Sequence, residues 1–113
     1  MASHIVILIQ SNPRESHRAC EGIRIALGLA ACNIKVDLIL NGSASVLLTD
    51  DIDECVDGAL AKQYLPNLIK FIPTIYIEKG EDDMPILQSE YQTTLLNPDE
   101  IAQKIASACV ARF

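Results

Sequence analysis

Three apolar runs mark the β-strands of this chain, at His4–Gln10, Ile34–Leu40 and Pro73–Ile77. The first two are apolar at most positions, which is typical of strands covered on both faces in a parallel sheet. Two weaker strands are predicted at Pro85–Gln88 and Val110–Phe113. The pattern therefore predicts a sheet of about five strands.

Two helices begin with the same four-residue signature. Asn12-Pro13-Arg14-Glu15 opens a helix predicted to end near Cys32, and Asn97-Pro98-Asp99-Glu100 opens a second one near the end of the chain. In both, asparagine can cap the helix, proline suits the first helical position, and glutamate closes a capping box.

A further helix is predicted between the second and third strands. Apolar residues there follow the i, i+3, i+4, i+7, i+8 spacing of a surface helix; they are Ile52, Cys55, Val56, Ala59 and Leu60. Gly58 is expected to weaken this helix by about 1 kcal/mol relative to alanine, and Pro66 to separate it from a short segment, Asn67–Phe71.

The alternation of strands and helices predicts a single α/β domain over residues 1–113, a three-layer α/β/α sandwich with a mostly parallel sheet. In such sheets, ligands collect at the carboxyl ends of the strands. Here these ends are Ser11-Asn12, Asn41-Gly42-Ser43 and Glu78-Lys79-Gly80.

Composition and charge indicate which kinds of binding partner and which location to expect. The formal net charge is −6, which argues against nucleic acid because a phosphate-backbone binder needs a basic face. No apolar run approaches the roughly 20 residues that span a membrane, and no signal peptide is recognisable. A soluble cytoplasmic protein is expected. Since half of the residues are hydrophobic, some apolar surface is expected to lie against another subunit.

Candidate chemistry is sparse. The four cysteines form no C-x-x-C pair, and phosphate-loop and dinucleotide fingerprints are missing, so neither a metal site nor a cofactor is expected. Ser11, Asn12 and Ser43 are candidates for anion binding, although capping alone also explains Asn12. Cys20 is the candidate reactive thiol, because His17 and Arg24 lie one helical turn away on either side. The simpler alternative is a small residue packed in the helix layer.

The order of several short motifs resembles the DsrE/DsrF/TusC-like sulfur-relay family. The motifs are Cys20-Glu21-Gly22-Ile23-Arg24-Ile25-Ala26-Leu27 in the first helix, Val36–Gly42 in the second strand and its turn, and Val46-Leu47-Leu48. The match covers about the first 48 residues. The resemblance implies an α/β/α fold, passage of persulfide sulfur between proteins, and assembly with itself, as a trimer or hexamer, or with related subunits.

The resemblance also implies where a catalytic cysteine would lie, just past the third strand. This chain reads Tyr76-Ile77-Glu78-Lys79-Gly80-Glu81 there, without cysteine. The sequence therefore favours a non-catalytic interaction subunit of sulfur transfer.

Two alternatives stay open. Ile72-Pro73 followed by a strand is similar to the cis-proline region of thioredoxin, although no C-x-x-C pair follows the first strand. A cis bond with an antiparallel strand would support a thioredoxin-like redox or docking module, whereas a trans bond with parallel pairing supports the sulfur-relay fold. The third reading is a purely structural oligomer subunit.

Overall fold

The computed structural model describes residues 4–79 and 87–113. Five strands form one sheet; they are β1 (His4–Ile9), β2 (Lys35–Leu40), β3 (Thr74–Glu78), β4 (Gln92–Leu96) and β5 (Cys109–Arg112). The three α-helices are α1 (Arg18–Ala31), α2 (Gly58–Phe71) and α3 (Pro98–Ala106). Two short 3₁₀ segments, Gly42–Leu48 and Asp50–Glu54, connect β2 to α2. No helix in the described ranges is long and apolar enough to cross a membrane.

The sheet is parallel throughout, with strand order β4-β3-β2-β1-β5. One face carries α1 and α2, and its core is built from aliphatic side chains such as Ile7, Leu38 and Ile75, all fully buried. The other face packs against α3 through a smaller cluster that includes Val6, Ile39 and Ile101. These are the three layers that the alternation of elements predicts, so the fold class is confirmed.

The first helix begins later than its sequence signature predicts. The Asn12 side chain accepts a hydrogen bond from the Arg14 amide at 3.0 Å, and the Asn12 carbonyl accepts from the amides of Glu15 and Ser16. These bonds close a tight turn rather than cap a helix. The helix starts only at Arg18, whose amide donates to the Ser16 hydroxyl.

The helix predicted from Ile52 begins only at Gly58, so the prediction is right for Ala59 and Leu60 and wrong for the residues before them. Glu54 ends the second 3₁₀ segment, and Asp57 adopts a left-handed backbone conformation (φ 58°) just before α2. Spacings of three residues also place side chains on one side of a 3₁₀ segment, so the apolar pattern did not identify the helix type.

Pro66 does not end α2 but lies within it. An internal proline costs about 3 kcal/mol, yet α2 completely buries Ala61, Leu65 and Leu68 against the sheet. Burying two leucines contributes about 3–6 kcal/mol, which is enough to keep the helix continuous to Phe71.

The remaining strands differ in how well the pattern located them. β5 lies where the terminal strand was expected, and α3 has the predicted capping box, with Asn97 accepting from the Glu100 amide at 2.8 Å. The strand expected at Pro85–Gln88 falls partly outside the described residues, and its described part, Leu87 and Gln88, is not a strand. The fifth strand is β4, an edge strand with mostly exposed residues.

Candidate functional site

A pocket of about 430 Å³ opens at the carboxyl edge of the sheet, beside the segments that follow β1 and β2. Its lining residues are Arg14, Gly42, Ser43, Ser45, Val46, Thr49, Asp50 and Asp51. The edge expected to carry function therefore does hold a concave surface, and Ser43 is one of its walls.

Local hydrogen bonds shape this pocket. Asn41 accepts from the Ser43 amide at 3.2 Å, and Thr49 accepts from the Asp51 amide at 3.1 Å, so each side chain caps one 3₁₀ segment. The hydroxyls of Ser45 and Thr49 donate to backbone carbonyls three residues earlier. These two hydroxyl protons are already used within the protein, and the pocket wall is held rigid by its own backbone.

The charges at the pocket do not favour an anion. The Arg14 guanidinium lies 3.2 Å from a Glu54 oxygen and 3.5 Å from an Asp51 oxygen. Asp50 accepts a hydrogen bond from the Gln88 side chain at 2.8 Å, which ties the pocket to the segment before β4. Because carboxylates already neutralise the one arginine, the walls carry a net negative charge.

The three predicted anion-binding residues are not brought together in this pocket. Ser43 lines it, whereas Asn12 serves the turn before α1. Ser11 donates its amide to the Phe113 carbonyl at 3.1 Å, and its hydroxyl is buried without a described partner. Anion binding at these residues stays a prediction.

Burial disfavours the thiolate of Cys20. Its side chain is 4% exposed, and burial, followed by the charges of Asp57 and Glu21, raises the pKa of the thiol. The nearby Arg24 opposes this shift only as the smallest contribution. The electropositive setting expected from His17 and Arg24 is therefore outweighed, since Arg24 instead pairs with Glu21 at 2.7 Å.

Of the other three cysteines, one is buried and two lie toward the amino edge of the sheet. Cys55 is also buried, which raises the pKa of its thiol even though Arg14 acts in the other direction. Cys32 and Cys109 are exposed. Cys32 follows α1 directly and Cys109 pairs with Ile5 at the start of β1, so both lie toward the amino edge of the sheet.

No thiol follows β3. Glu78 ends this strand, the Lys79 amide donates to the Leu96 carbonyl at 2.7 Å, and the sequence holds no cysteine between Cys55 and Cys109. Among the described residues, no group of three histidine, cysteine or acidic side chains is arranged to hold a metal ion.

His17 and Arg18 lie at the start of α1. His17 is exposed. Arg18 donates to the Arg112 carbonyl at 3.1 Å and lies over the Phe113 ring. Sequence reasoning missed the roles of Thr49 and Gln88 at the pocket. A threonine hydroxyl often accepts a hydrogen bond from the backbone amide two residues later. The threonine at position 49, two residues before Asp51, is therefore the signal that could have predicted this capped turn.

Comparison with solved structures identifies the fold. The chain resembles the crystal structure of the YchN protein from E. coli, with a TM-score of 0.71, 20% sequence identity, and coverage of 100% of both chains. The fold is YchN-like. At 20% identity this likeness shows the fold alone. No protein-family model and no curated sequence matches the chain.

The sheet topology removes the thioredoxin-like alternative. β3 pairs in parallel with both of its neighbours, β2 and β4. The Ile72–Pro73 bond is trans, since residues 4–79 and 87–113 contain no cis peptide bond. In the described part of the chain, β3 has no antiparallel neighbour of the kind that a thioredoxin-like module requires after this proline.

Proposed function

We propose that this chain is a non-catalytic interaction subunit of intracellular sulfur transfer. The YchN-like fold over the full length supports the sulfur-relay half of this proposal. The positions of the thiols support the proposal that the subunit is non-catalytic, because sulfur transfer needs an accessible thiolate where the partner binds.

The carboxyl edge offers no such thiolate. Cys20 and Cys55 are buried, and burial raises the pKa of both thiols. Glu78 ends β3 and Lys79 follows it. Acidic groups at this edge would disfavour a thiolate further. The described residues therefore suit recognition rather than sulfur carriage.

A sulfur-loading experiment tests the proposal. In loading, a cysteine thiolate attacks a sulfur of an inorganic polysulfide, so that a new S–S bond forms as one in the donor breaks. The double variant Cys32→Ser, Cys109→Ser removes both exposed thiols and is treated with polysulfide under native conditions, followed by intact mass measurement. We expect no one-sulfur adduct, and a stable adduct mapped to Cys20 or Cys55 would overturn the non-catalytic role.

The matched variant Cys20→Ser, Cys55→Ser keeps the exposed thiols and shows that the donor is active. Unfolded wild-type protein is the second control, since all four cysteines should then react.

Size-exclusion chromatography with light scattering tests the proposal that the chain is an interaction subunit. We expect a homo-oligomer such as a trimer or hexamer. A monodisperse monomer that also fails to bind a related sulfur-relay subunit would contradict it.

A further inference from the structure

Apolar side chains that remain in contact with water are concentrated on α2. Among the described residues, four large apolar side chains are 38–51% exposed, and three of them lie on α2 or in the turn just before it. These three are Val56, Leu60 and Phe71. The opposite side of the helix already serves the main core, where Leu65 and Leu68 are fully buried. Exposed apolar side chains that gather on one element are typical of an interaction surface.

Four residues form a seam along this exposed side of α2. Leu60, Tyr64, Asn67 and Phe71 follow a 4-3-4 spacing, which is the heptad spacing of helices that pack against another helix. At 3.6 residues per turn, the four side chains lie within about 60° of each other around the helix. Tyr64 is half-buried and packs against the main core, whereas Asn67 is exposed. These four residues are called the α2 seam below.

The α2 seam reads the same from either end. Its spacing is symmetric about a point midway along the helix, so a second, antiparallel copy places Leu60 opposite the partner's Phe71. The same operation places Tyr64 opposite the partner's Asn67. Each contact is then made twice about a twofold axis, which is how two identical chains pair through one surface. A second copy of this chain therefore fits the seam without any change of register.

The polar groups at the centre of the seam suit the same pairing. The Asn67 side-chain amide donates to the Gln63 carbonyl at 3.4 Å, which leaves its own carbonyl oxygen as an acceptor. In an antiparallel pair, the Tyr64 hydroxyl can donate to that oxygen of the partner's Asn67. A single asparagine within an apolar seam fixes the register and the number of helices that associate.

The charges at the two ends of α2 favour the antiparallel orientation. Asp57 directly precedes the helix, Lys70 lies in its last turn, and both are exposed. Antiparallel packing brings Asp57 toward the partner's Lys70, whereas a parallel pair would bring like charges together. The other lysine of α2, Lys62, already pairs with Asp53 at 3.0 Å. Within residues 4–79 and 87–113, Lys70 has no such ion pair.

We propose that two copies of this chain associate through the α2 seam, as antiparallel helices about a twofold axis. Leu60 packs against the partner's Phe71 at each end, and two Tyr64–Asn67 pairs lie at the centre. The proposal rests on the self-association part of the proposed function and adds the surface and the orientation. Because the seam occupies one 14-residue helix, a dissociation constant of micromolar order is expected.

Sedimentation velocity of the full chain tests whether the seam makes the contact. We expect the mass of the wild-type protein to rise with concentration up to about 100 µM. Leu60→Glu and Phe71→Glu should each weaken this step at least about thirtyfold, because a carboxylate would be desolvated in an apolar contact. The mass of the associated species should then halve, since the seam joins two equal units. Leu95→Glu is the matched control, because Leu95 is 46% exposed but lies on β4.

Three results would overturn the proposal. The first is wild-type protein that stays monomeric at about 100 µM. The second is association that Leu60→Glu leaves unchanged, or that Leu95→Glu weakens equally; this result would move the contact to another surface and leave the proposed self-association intact. The third is monomeric wild-type protein that sediments with phosphatidylglycerol vesicles, which would make the seam a membrane-binding surface. Circular dichroism of each variant confirms that it is folded.

Disulfide cross-linking tests the orientation of the two helices. Leu60→Cys and Phe71→Cys are made separately in a chain that also carries Cys32→Ser and Cys109→Ser, so that no native exposed thiol interferes. With oxidised glutathione as the oxidant, the mixture of both variants should form an intermolecular disulfide at least about tenfold faster than either variant alone. The antiparallel pair separates the two copies of position 60 by about 16 Å along the helix axis. Faster cross-linking of either variant with itself would show a parallel pair and refute the proposed geometry.

Discussion

Gly58 offers the sharpest test of the structure, because the sequence and the coordinates predict opposite effects for its replacement by alanine. A Cβ atom at this position would overlap the Ile52 carbonyl oxygen and lie 3.2 Å from the Ile52 carbonyl carbon. The obstacle is backbone, so it cannot rotate away. Either the start of α2 or the preceding 3₁₀ segment must therefore shift.

The cost follows from overpacking. Such a shift in a packed region destabilises by about 1–3 kcal/mol, and the clash places Gly58→Ala at the upper end. Alanine also restricts the unfolded chain, which by itself would stabilise the folded protein by only about 0.4–1 kcal/mol. We therefore expect the free energy of unfolding to fall by about 2 kcal/mol, a large fraction of the 5–15 kcal/mol typical of a domain.

Gly28 provides the matched control. It lies within α1, is exposed, and a Cβ there would meet nothing within 4 Å. Gly28→Ala should therefore raise the free energy of unfolding by about 0.5–1 kcal/mol. Urea unfolding followed by circular dichroism measures both. If Gly58→Ala is as stable as Gly28→Ala, the close approach of α2 to Ile52 is refuted.

Three further results are expected. Iodoacetamide should label Cys32 and Cys109 of the native protein at least about tenfold faster than Cys20 or Cys55, and mass spectrometry that finds Cys20 labelled first would restore it as the reactive thiol. Asn97→Ala should destabilise by about 1 kcal/mol in urea unfolding because a capping box is lost, whereas Asn12→Ala should cost about half as much; equal losses would contradict the different roles of the two asparagines. Burial and, next, the charge of Glu90 raise the pKa of Tyr91 to about 12 from its ordinary value of 10. The unfolded chain therefore loses this proton first, so stability should fall by about 1–2 kcal/mol as the pH rises from 10 to 12, and Tyr91→Phe should lack that part of the fall in alkaline unfolding curves.

The two asparagine signatures show how far the sequence could predict the helices. Both segments read N-P-x-E, yet only the one at Asn97 caps a helix. Four residues after Asn97 comes Ile101, which is buried against the sheet, whereas the same place after Asn12 is Ser16. A cap contributes about 1 kcal/mol, less than a buried isoleucine. Packing of the first turn therefore decided which signature became a helix.

The strands show a similar division. β1 and β2 lie in the centre of the sheet, so both faces are buried and the apolar run is continuous enough to read directly. β4 is at the edge, where Gln92, Thr94 and Leu95 remain exposed. An edge strand needs no apolar run, since water can solvate one side of it, and the pattern of Gln92–Leu96 consequently gave little signal.

The chemistry of the candidate site was harder to predict than the fold because it depends on which charges meet across the chain. Sequence spacing placed Arg24 and Glu21 on one helical face, and they do pair. Sequence spacing could not predict that Arg14 pairs with Glu54, which is forty residues away along the chain. This ion pair neutralises the main positive charge at the carboxyl edge. The topology thus leaves the walls of the carboxyl-edge pocket with a net negative charge, since Asp50 and Asp51 outnumber Arg14.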